Sequence, residues 1–427
     1  PRIQTGQSHR HRRRRQYQMR FAFKRSLSPV AYCALHIQTG TRYESPGQGG
    51  LAHFTEHLLF KGTETRSANT VNSYIEKLGG ELNAYTTKEE TVIHATVLKE
   101  DLRRAVDLLM DIAFRCTFPE KEIEKERGVV LEEIKTYKDS PAEQIYDDFE
   151  ELMFSGTPLS MPVLGKARDL RKADRTVITG YYRTMFREDN MFFTVVADLE
   201  ENKVRDMVEK SLKAYSHEGA SATIQAGATA SGTCSREQPF LEANTPFERT
   251  VTRHSHQVHC IIGARAYSAY DSRRIPLSLL INILGGPVAN SRLNLLLRER
   301  YGLVYSVEAS YGLYSDAGIA TIYFGCDRSS LDRCLALTGK VLASLREDTL
   351  SSRALNWAKK QYLGQMAIAS DNGEAQVLSM GKSLMTYGRV ITNAESAKMI
   401  EAITAEDLRN TAREVFDPDG LSRLIYN

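Results

Sequence analysis

The chain has 427 residues, of which 42% are hydrophobic and 26% charged, and its formal net charge at pH 7 is +3. This composition is typical of a globular protein long enough for two domains. No apolar segment is long enough to span a membrane. The six cysteines form no Cys-x-x-Cys pair, which favours free thiols in a reducing, cytoplasmic compartment.

The excess positive charge is concentrated in residues 9–15, which are histidines and arginines only. Such a run can bind nucleic acid or an anionic membrane. No aromatic platform or basic helix accompanies it, so we instead predict a disordered tail over residues 1–20 and no nucleic-acid partner. No apolar segment follows this run, so we expect no signal peptide in the sequence. Export would still be possible if a leader peptide had already been cleaved. A mitochondrial transit segment is a further alternative, but residues 1–20 lack an apolar helical face.

Residues 51–60 are predicted to form a helix, with glycine-rich residues before it and Lys61-Gly62 after it. The helix contains His53-x-x-Glu56-His57, an inverted zinc-peptidase signature. Residues three and four apart share a helix face, so these three side chains can converge on one point. Two neutral imidazoles suit Zn²⁺, and the nearby carboxylate can take a proton from a bound water. The alternative is a surface helix with two histidines.

Residues 81–87 follow a Gly-Gly turn and are predicted to form a strand. At the edge of a sheet, the backbone of this strand could pair with an extended peptide of any sequence. The alternative is an ordinary hairpin strand without a ligand.

Residues 119–134 are predicted to form a second helix, with a proline in its first turn and acids near its start. Glu126 and Glu133 are seven residues apart and therefore lie on one face. Glu133 could bind a metal, while Glu126 could orient a ligand histidine by a hydrogen bond without binding the metal itself. Spacing alone leaves other candidates open, namely Glu122, Glu124 and Glu132.

The two halves of the chain repeat one pattern. A helix over residues 71–78 ends at Gly79, and one over 294–301 ends at Gly302; strands and a further helix follow each. Small and polar residues dominate residues 219–235, which indicates an exposed linker. We therefore predict a metal-bearing domain over 21–218, a linker over 219–248 and a second domain over 249–427. Alternating strands and long helices indicate an α+β fold, each domain being an antiparallel-rich sheet with helices on one face.

The second half has no His-x-x-Glu-His at the equivalent place. It does contain Arg298 and Tyr305, seven residues apart, which could hold a peptide carbonyl and stabilise a developing oxyanion. Their ordinary alternative is a helix-end arginine and a core tyrosine. His254 and His256 fall on one face of an alternating stretch and are a further metal candidate, but no third ligand follows.

Residues 49–63 resemble the signature of the pitrilysin/insulinase family of inverted-motif zinc peptidases, and the chain's size resembles the mitochondrial-processing-peptidase branch. In that family a Glu-x₆-Glu helix follows about 75 residues later. The resemblance implies that His53, His57 and Glu133 bind one Zn²⁺ per chain. It also implies that Glu56 is the general base and that Glu126 supports the site.

The resemblance further implies a substrate strand and an Arg/Tyr pair for transition-state support, corresponding here to Asn83, Ala84, Tyr85, Thr86, Arg298 and Tyr305. Relatives usually open with a strand and an Asn-Gly turn. Residues 19–25 differ from that pattern, so we expect the first edge strand to be atypical or absent.

In longer members of the family, two such two-domain halves close into a clam-shell chamber. We therefore expect a zinc-dependent endopeptidase for unfolded peptides, with a metal-bound water as nucleophile and Glu56 as base. A homodimer would be complete, because the chain carries both the motif and the Arg/Tyr pair. The alternatives are a subunit of a heterodimeric processing peptidase and a non-catalytic scaffold. Residues 284–291 are too poor in glycine to resemble the glycine-rich loop of processing-peptidase partner subunits.

Overall fold

The computed structural model describes residues 19–215 and 245–427, apart from residue 254. Residues 1–18 of the predicted tail, Cys234, His254 and most of the predicted linker lie outside the described residues. Within the described ranges, no helix is both long enough and apolar enough to cross a membrane. The five cysteines there are all free thiols.

The elements of the first half are, in order, β1 (Arg20–Arg25), β2 (Val30–Ile37), α1 (Leu51–Leu59), α2 (Ala68–Glu76), β3 (Glu81–Thr86), β4 (Thr91–Leu98), α3 (Leu102–Arg115), α4 (Glu120–Lys138), α5 (Pro141–Met153), α6 (Ala167–Leu170), α7 (Arg175–Met185), β5 (Met191–Ala197) and α8 (Glu201–Tyr215). Those of the second half are β6 (Glu248–Val251), β7 (Val258–Ala266), α9 (Arg274–Gly285), a π-helical segment (Asn294–Arg300), β8 (Val304–Leu313), β9 (Gly318–Cys326), α10 (Leu331–Glu347), α11 (Ser352–Ala369), α12 (Gly373–Tyr387), α13 (Asn393–Glu401), α14 (Ala405–Val415) and β10 (Ser422–Tyr426).

Each half contains a five-stranded sheet, and the two sheets have equivalent strand orders. The first sheet runs β1-β5-β2-β4-β3 and the second runs β6-β10-β7-β9-β8. The first two strands of each order pair in parallel, and the remaining neighbours pair antiparallel. The predicted α+β fold of two similar domains is confirmed. The first edge strand is nevertheless present: β1 pairs along its whole length with β5.

One face of the first sheet packs on helices of its own half. Leu35 of β2 and Ile93 of β4 lie opposite each other in the register and are fully buried. They belong to one core with Phe54 of α1 and Leu109 of α3. This core holds α1 against the sheet and so fixes which side of that helix points away from it.

The opposite face of the first sheet is covered by α12, a helix from the second half. Ala34, Val92 and Val196 form a small core there with Val377 and Met380 of α12. The approach is close because α12 has glycines at the contact: a Cβ at Gly381 would lie 2.0 Å from the buried His36 ring.

The exchange between halves is reciprocal, because α5 of the first half covers the second sheet. Ile145, Phe149 and Met153 of α5 are buried against strand residues Ile261 and Leu424 of that sheet. The hydroxyl of Tyr314, beyond β8, also donates to Glu150 of α5 at 2.8 Å. Each domain therefore completes its core with a helix from the other.

Candidate active site

Helix α1 begins at a backbone turn that requires glycine. Gly50 has φ 91°, and a Cβ there would lie 2.7 Å from the carbonyl oxygen of Leu164. The carboxylate of Glu44 accepts from the backbone N–H groups of Gly50 at 2.9 Å and Ala52 at 2.7 Å. Burial raises the pKa of Glu44 to about 8, against the lowering effect of these N–H groups. Glu44 is not among the residues predicted from the sequence, although an acid shortly before a glycine-rich helix start is a recognisable signal.

Helix α4 supplies the second part of the site. Its buried stripe contains Ile123, Val130 and Ile134, which join the core of the first domain. The same stripe carries Glu126, which is only 5% exposed. Glu133 lies beside this stripe, two turns after Glu126, and both carboxylates reach the histidines of α1.

The structure brings His53, His57 and Glu133 together as the one group of possible metal ligands found among the described residues. Glu133 Oε2 lies 3.8 Å from His53 Nε2 and 3.6 Å from His57 Nε2. The competing acids of α4 are not in this group: Glu132 pairs with Lys135, and Glu124 pairs with Arg127. Glu122 is also absent from it.

The donor atoms fit a zinc ion. Zinc bonds to nitrogen and oxygen of about 2.0–2.1 Å place neighbouring ligands of a tetrahedron about 3.4 Å apart. The separations from Glu133 to the two histidines are close to this value and too long for direct hydrogen bonds. The Glu133 side chain is 43% exposed as a whole, but its Oε2 atom is buried and has no hydrogen-bond partner among the described residues. A buried carboxylate oxygen without a partner, aimed between two imidazoles, is what a metal ion would satisfy.

The protonation of His53 also suits a ligand. Burial, reinforced by the nearby His57, lowers the pKa of His53 to about 4. The imidazole is therefore neutral at physiological pH, as metal binding requires. His57 contacts Glu126 instead, with Nδ1 lying 3.3 Å from Glu126 Oε2. A proton on that nitrogen leaves Nε2 free to face Glu133.

Glu56 lies on the same helix but is not one of the three possible ligands. Burial raises its pKa above the ordinary value for glutamate, while the hydroxyl of Thr86 and the charge of His57 act in the opposite direction. A carboxyl group whose pKa is shifted towards neutrality can exchange protons with a reacting group. The contact with Thr86 also places Glu56 beside the end of β3.

Among the residues that the structure describes, strand β3 lies at the edge of the first sheet and pairs only with β4. It contains all four predicted substrate residues, from Asn83 to Thr86. The turn after β3 is tied to the second domain, because Arg42 binds both Glu89 of this turn and Asp316, the latter at 2.9 Å. The strand therefore has an open backbone edge beside the metal group; its role in peptide binding stays a prediction.

Arg298 and Tyr305 lie in the second domain and have no hydrogen bond or ion pair with the metal group in the part of the chain described. Arg298 is exposed at the end of the π-helical segment. Tyr305 is 58% exposed at an irregularity of the edge strand β8, and its hydroxyl donates to Asp327 at 3.0 Å. The core-tyrosine alternative is therefore wrong for Tyr305. His256 is exposed and belongs to no metal group among the described residues.

Two family descriptions match the chain. "Insulinase (Peptidase family M16)" matches residues 20–167, which include the whole metal group. "Peptidase M16 inactive domain" matches residues 172–362, most of them in the second half. The boundary between the two matches agrees with the structure, because the metal group found among the described residues lies in the first half.

Relatives and solved structures agree with these matches. YmxG of Bacillus subtilis, named an uncharacterized zinc protease, is 31% identical over 91% of each chain. An uncharacterized zinc protease of Streptomyces coelicolor is also 31% identical, over 88% of this chain and 80% of that one. A protease from Helicobacter pylori has a similar structure, with a TM-score of 0.86 at 17% identity over 96% of this chain and 97% of that one.

A solved protein from Pseudomonas fluorescens, described as a peptidase M16 inactive domain, has a TM-score of 0.81 at 17% identity, covering 95% of this chain and 94% of that one. At such identities the two solved structures establish the fold alone. The names of the sequence relatives imply zinc, and the donor set described above fits that ion. The chain belongs to the insulinase/pitrilysin peptidase family M16, in its short two-domain form.

Proposed function

We propose that this chain is a zinc-dependent endopeptidase that hydrolyses unfolded peptides. The observation that carries the proposal is the convergence of His53, His57 and Glu133 around one partnerless carboxylate oxygen. A fourth side chain, Glu56, lies beside this group without belonging to it. A hydrolytic zinc site usually has three protein ligands and a nearby carboxyl group that does not bind the metal.

Zinc, when bound by these three residues, would supply Lewis acidity, which polarises a carbonyl and lowers the pKa of water to roughly 7. Glu56 accepts the proton of the attacking water and delivers it to the leaving nitrogen. Burial raises the pKa of Glu56 above the ordinary value for glutamate, and a carboxyl group with a higher pKa accepts the proton of water more readily than an ordinary glutamate does. Glu126 keeps the ring of His57 in its ligating orientation.

The open edge of β3 supports a preference for unfolded substrates. A peptide that adds to this edge must be extended and must offer free backbone groups, which a folded protein keeps paired. Backbone pairing reads little of the peptide sequence. We therefore expect the enzyme to select substrates mainly by their extended backbone conformation and less by their side chains.

The proposed active form is a dimer. Arg298 and Tyr305 have no described contact with the metal group of their own chain, so their proposed role in holding the peptide requires a second chain. Two copies would each contribute a metal group and an Arg/Tyr pair, giving a closed chamber with two sites. A heterodimer with a related chain and a non-catalytic scaffold are the alternatives.

Metal content and substrate form test the proposal together. We expect about one zinc ion per chain and cleavage of an unstructured peptide that ceases after chelation and returns with added zinc. A protein substrate should be cut after it is denatured and resist cleavage when folded. The matched control is one substrate protein with an engineered disulfide, tested oxidised and reduced. Zinc without cleavage would favour the scaffold or a missing partner; absence of zinc would exclude the proposal.

Mixing two inactive variants tests the dimer. Glu56→Gln removes the base of one chain, and Arg298→Ala with Tyr305→Phe removes the pair of the other. When the two tagged chains are co-expressed, random pairing leaves about one site in four with both parts intact, so about a quarter of the wild-type activity should return. The control combines Glu56→Gln with a chain carrying all three substitutions, and it should stay inactive. A site built from one chain would give no recovery in either mixture.

A further inference from the structure

Lys61 lies next to the metal group without belonging to it. It lies two residues beyond the end of α1 and four residues after His57, and its side chain is largely buried. Its Nζ lies 2.8 Å from Glu126 Oε1. The other oxygen of the same carboxylate, Oε2, lies 3.3 Å from His57 Nδ1. Glu126 therefore bridges Lys61 to a proposed metal ligand, one oxygen to each.

We propose that Lys61 is a positioning residue for the metal site, and this rests on the proposed function. A carboxylate group can rotate about the bond that joins it to the rest of the side chain unless both of its oxygens have hydrogen-bond or ion-pair partners. Lys61 holds Oε1, so Oε2 is fixed where it can accept the Nδ1–H of His57. The ring of His57 is then fixed with Nε2 facing Glu133. Lys61 thus acts on the metal through two intermediates and touches neither the metal nor the substrate.

Charge is a second part of the role. Glu126 is almost fully buried, and a buried carboxylate is costly without a cation or several donors. Lys61 is the cation within ion-pair distance of Glu126 in the part of the chain that the structure describes. Its ammonium group is therefore the charge that allows Glu126 to remain inside as a hydrogen-bond acceptor.

The backbone around Lys61 is itself fixed. The next residue, Gly62, has φ 120° and accepts the N–H of Thr117 at 3.2 Å, just before α4 begins. Two residues beyond Lys61, Thr63 donates to the fully buried Asp111 at 2.6 Å. The end of α1 and the approach to α4 are therefore joined, so the reach from Lys61 to Glu126 is set by the fold.

A simpler role for Lys61 would be to interact with the C-terminal carbonyl groups of α1. That role predicts a change in protein stability and no specific change in metal affinity. The positioning role predicts that the zinc affinity depends on Lys61 only while Glu126 is present. The two roles can therefore be separated by measuring zinc binding in single and double variants.

The experiment measures zinc dissociation constants of the full chain by competition with a chromophoric chelator, together with urea midpoints of the zinc-free proteins. Lys61→Met should weaken zinc binding about tenfold, the lower end of the range for outer hydrogen-bond partners of a ligand histidine. Lys61→Arg, which keeps the charge, should recover most of the loss. In a Glu126→Gln background, Lys61→Met should have no further effect.

Lys135→Met is the matched control, because Lys135 forms an exposed pair with Glu132 on the same α4 at the same 2.8 Å. Its zinc affinity should equal that of the wild type. Equal affinities for Lys61→Met and wild type, or an undiminished effect of Lys61→Met in the Glu126→Gln background, would overturn the positioning role. If Lys61→Met fails to fold, wild-type affinity in Lys61→Gln would overturn it equally. Failure of the wild type to bind zinc would instead remove the proposed function itself.

Discussion

Replacement of Glu56 with Gln is expected to leave zinc binding intact and to lower peptide hydrolysis by two to four orders of magnitude. Glutamine keeps the volume of the side chain and can still contact Thr86, but it cannot take up or release a proton. Because Glu56 is not among the three ligands, the metal site keeps its donors. The measurement is kcat on a quenched fluorescent peptide alongside the zinc content of the same preparation.

The control for this experiment is Glu132→Gln, the same chemical change at an exposed position of α4. It should leave both hydrolysis and zinc content at wild-type values. Substantial hydrolysis by Glu56→Gln would show that another group carries the proton. Loss of zinc from that variant would show that Glu56 contributes to the metal site, and the separation between ligands and base would then be wrong.

Replacement of Phe149 with Ala is expected to lower the free energy of unfolding by about 3–5 kcal/mol. Phe149 is fully buried in the core that α5 forms with the second sheet, beside Ile261 and Leu424. Since α5 belongs to the first half of the chain, the loss should affect both domains together. Urea unfolding, followed by fluorescence and by circular dichroism, should therefore remain a single transition that shifts to lower urea.

The control is Ile368→Ala on α11, where the side chain is 78% exposed and the expected change is below about 0.5 kcal/mol. Two separated transitions, only one of them shifted by Phe149→Ala, would contradict the coupling of the domains. A change of similar size in Ile368→Ala would contradict the assignment of the effect to burial.

Much of the proposed site follows from local rules. His53, Glu56 and His57 are placed by helix spacing alone, since residues three and four apart share a face. For α4, the buried stripe of Ile123 and Val130 includes Glu126, and Glu133 lies two turns further on. The spacing of the glutamates alone does not distinguish Glu126 and Glu133 from the other acids of α4. Their position relative to the apolar stripe does distinguish them.

The long-range arrangement could not be predicted. An amphipathic pattern indicates that one face of α5 or α12 is buried, but it does not indicate which sheet covers that face. The proposed role of Lys61 depends on its contact with Glu126, which lies 65 residues further along the chain. The position of Tyr305 at an exposed irregularity of β8 is likewise a property of strand pairing, which residue alternation alone does not specify.

The exchanged helices have a consequence for synthesis of the protein. The strands of the first sheet are complete once Ala197 has been synthesised. The face of this sheet that lies opposite the first domain's own helices is covered by α12, which ends only at Tyr387. At about 5–20 residues per second, the ribosome needs roughly 10–40 s to make the intervening chain. During that interval the growing polypeptide presents an uncovered apolar surface, which is the kind of segment that chaperones bind. A fragment that stops between the halves would keep that surface exposed permanently.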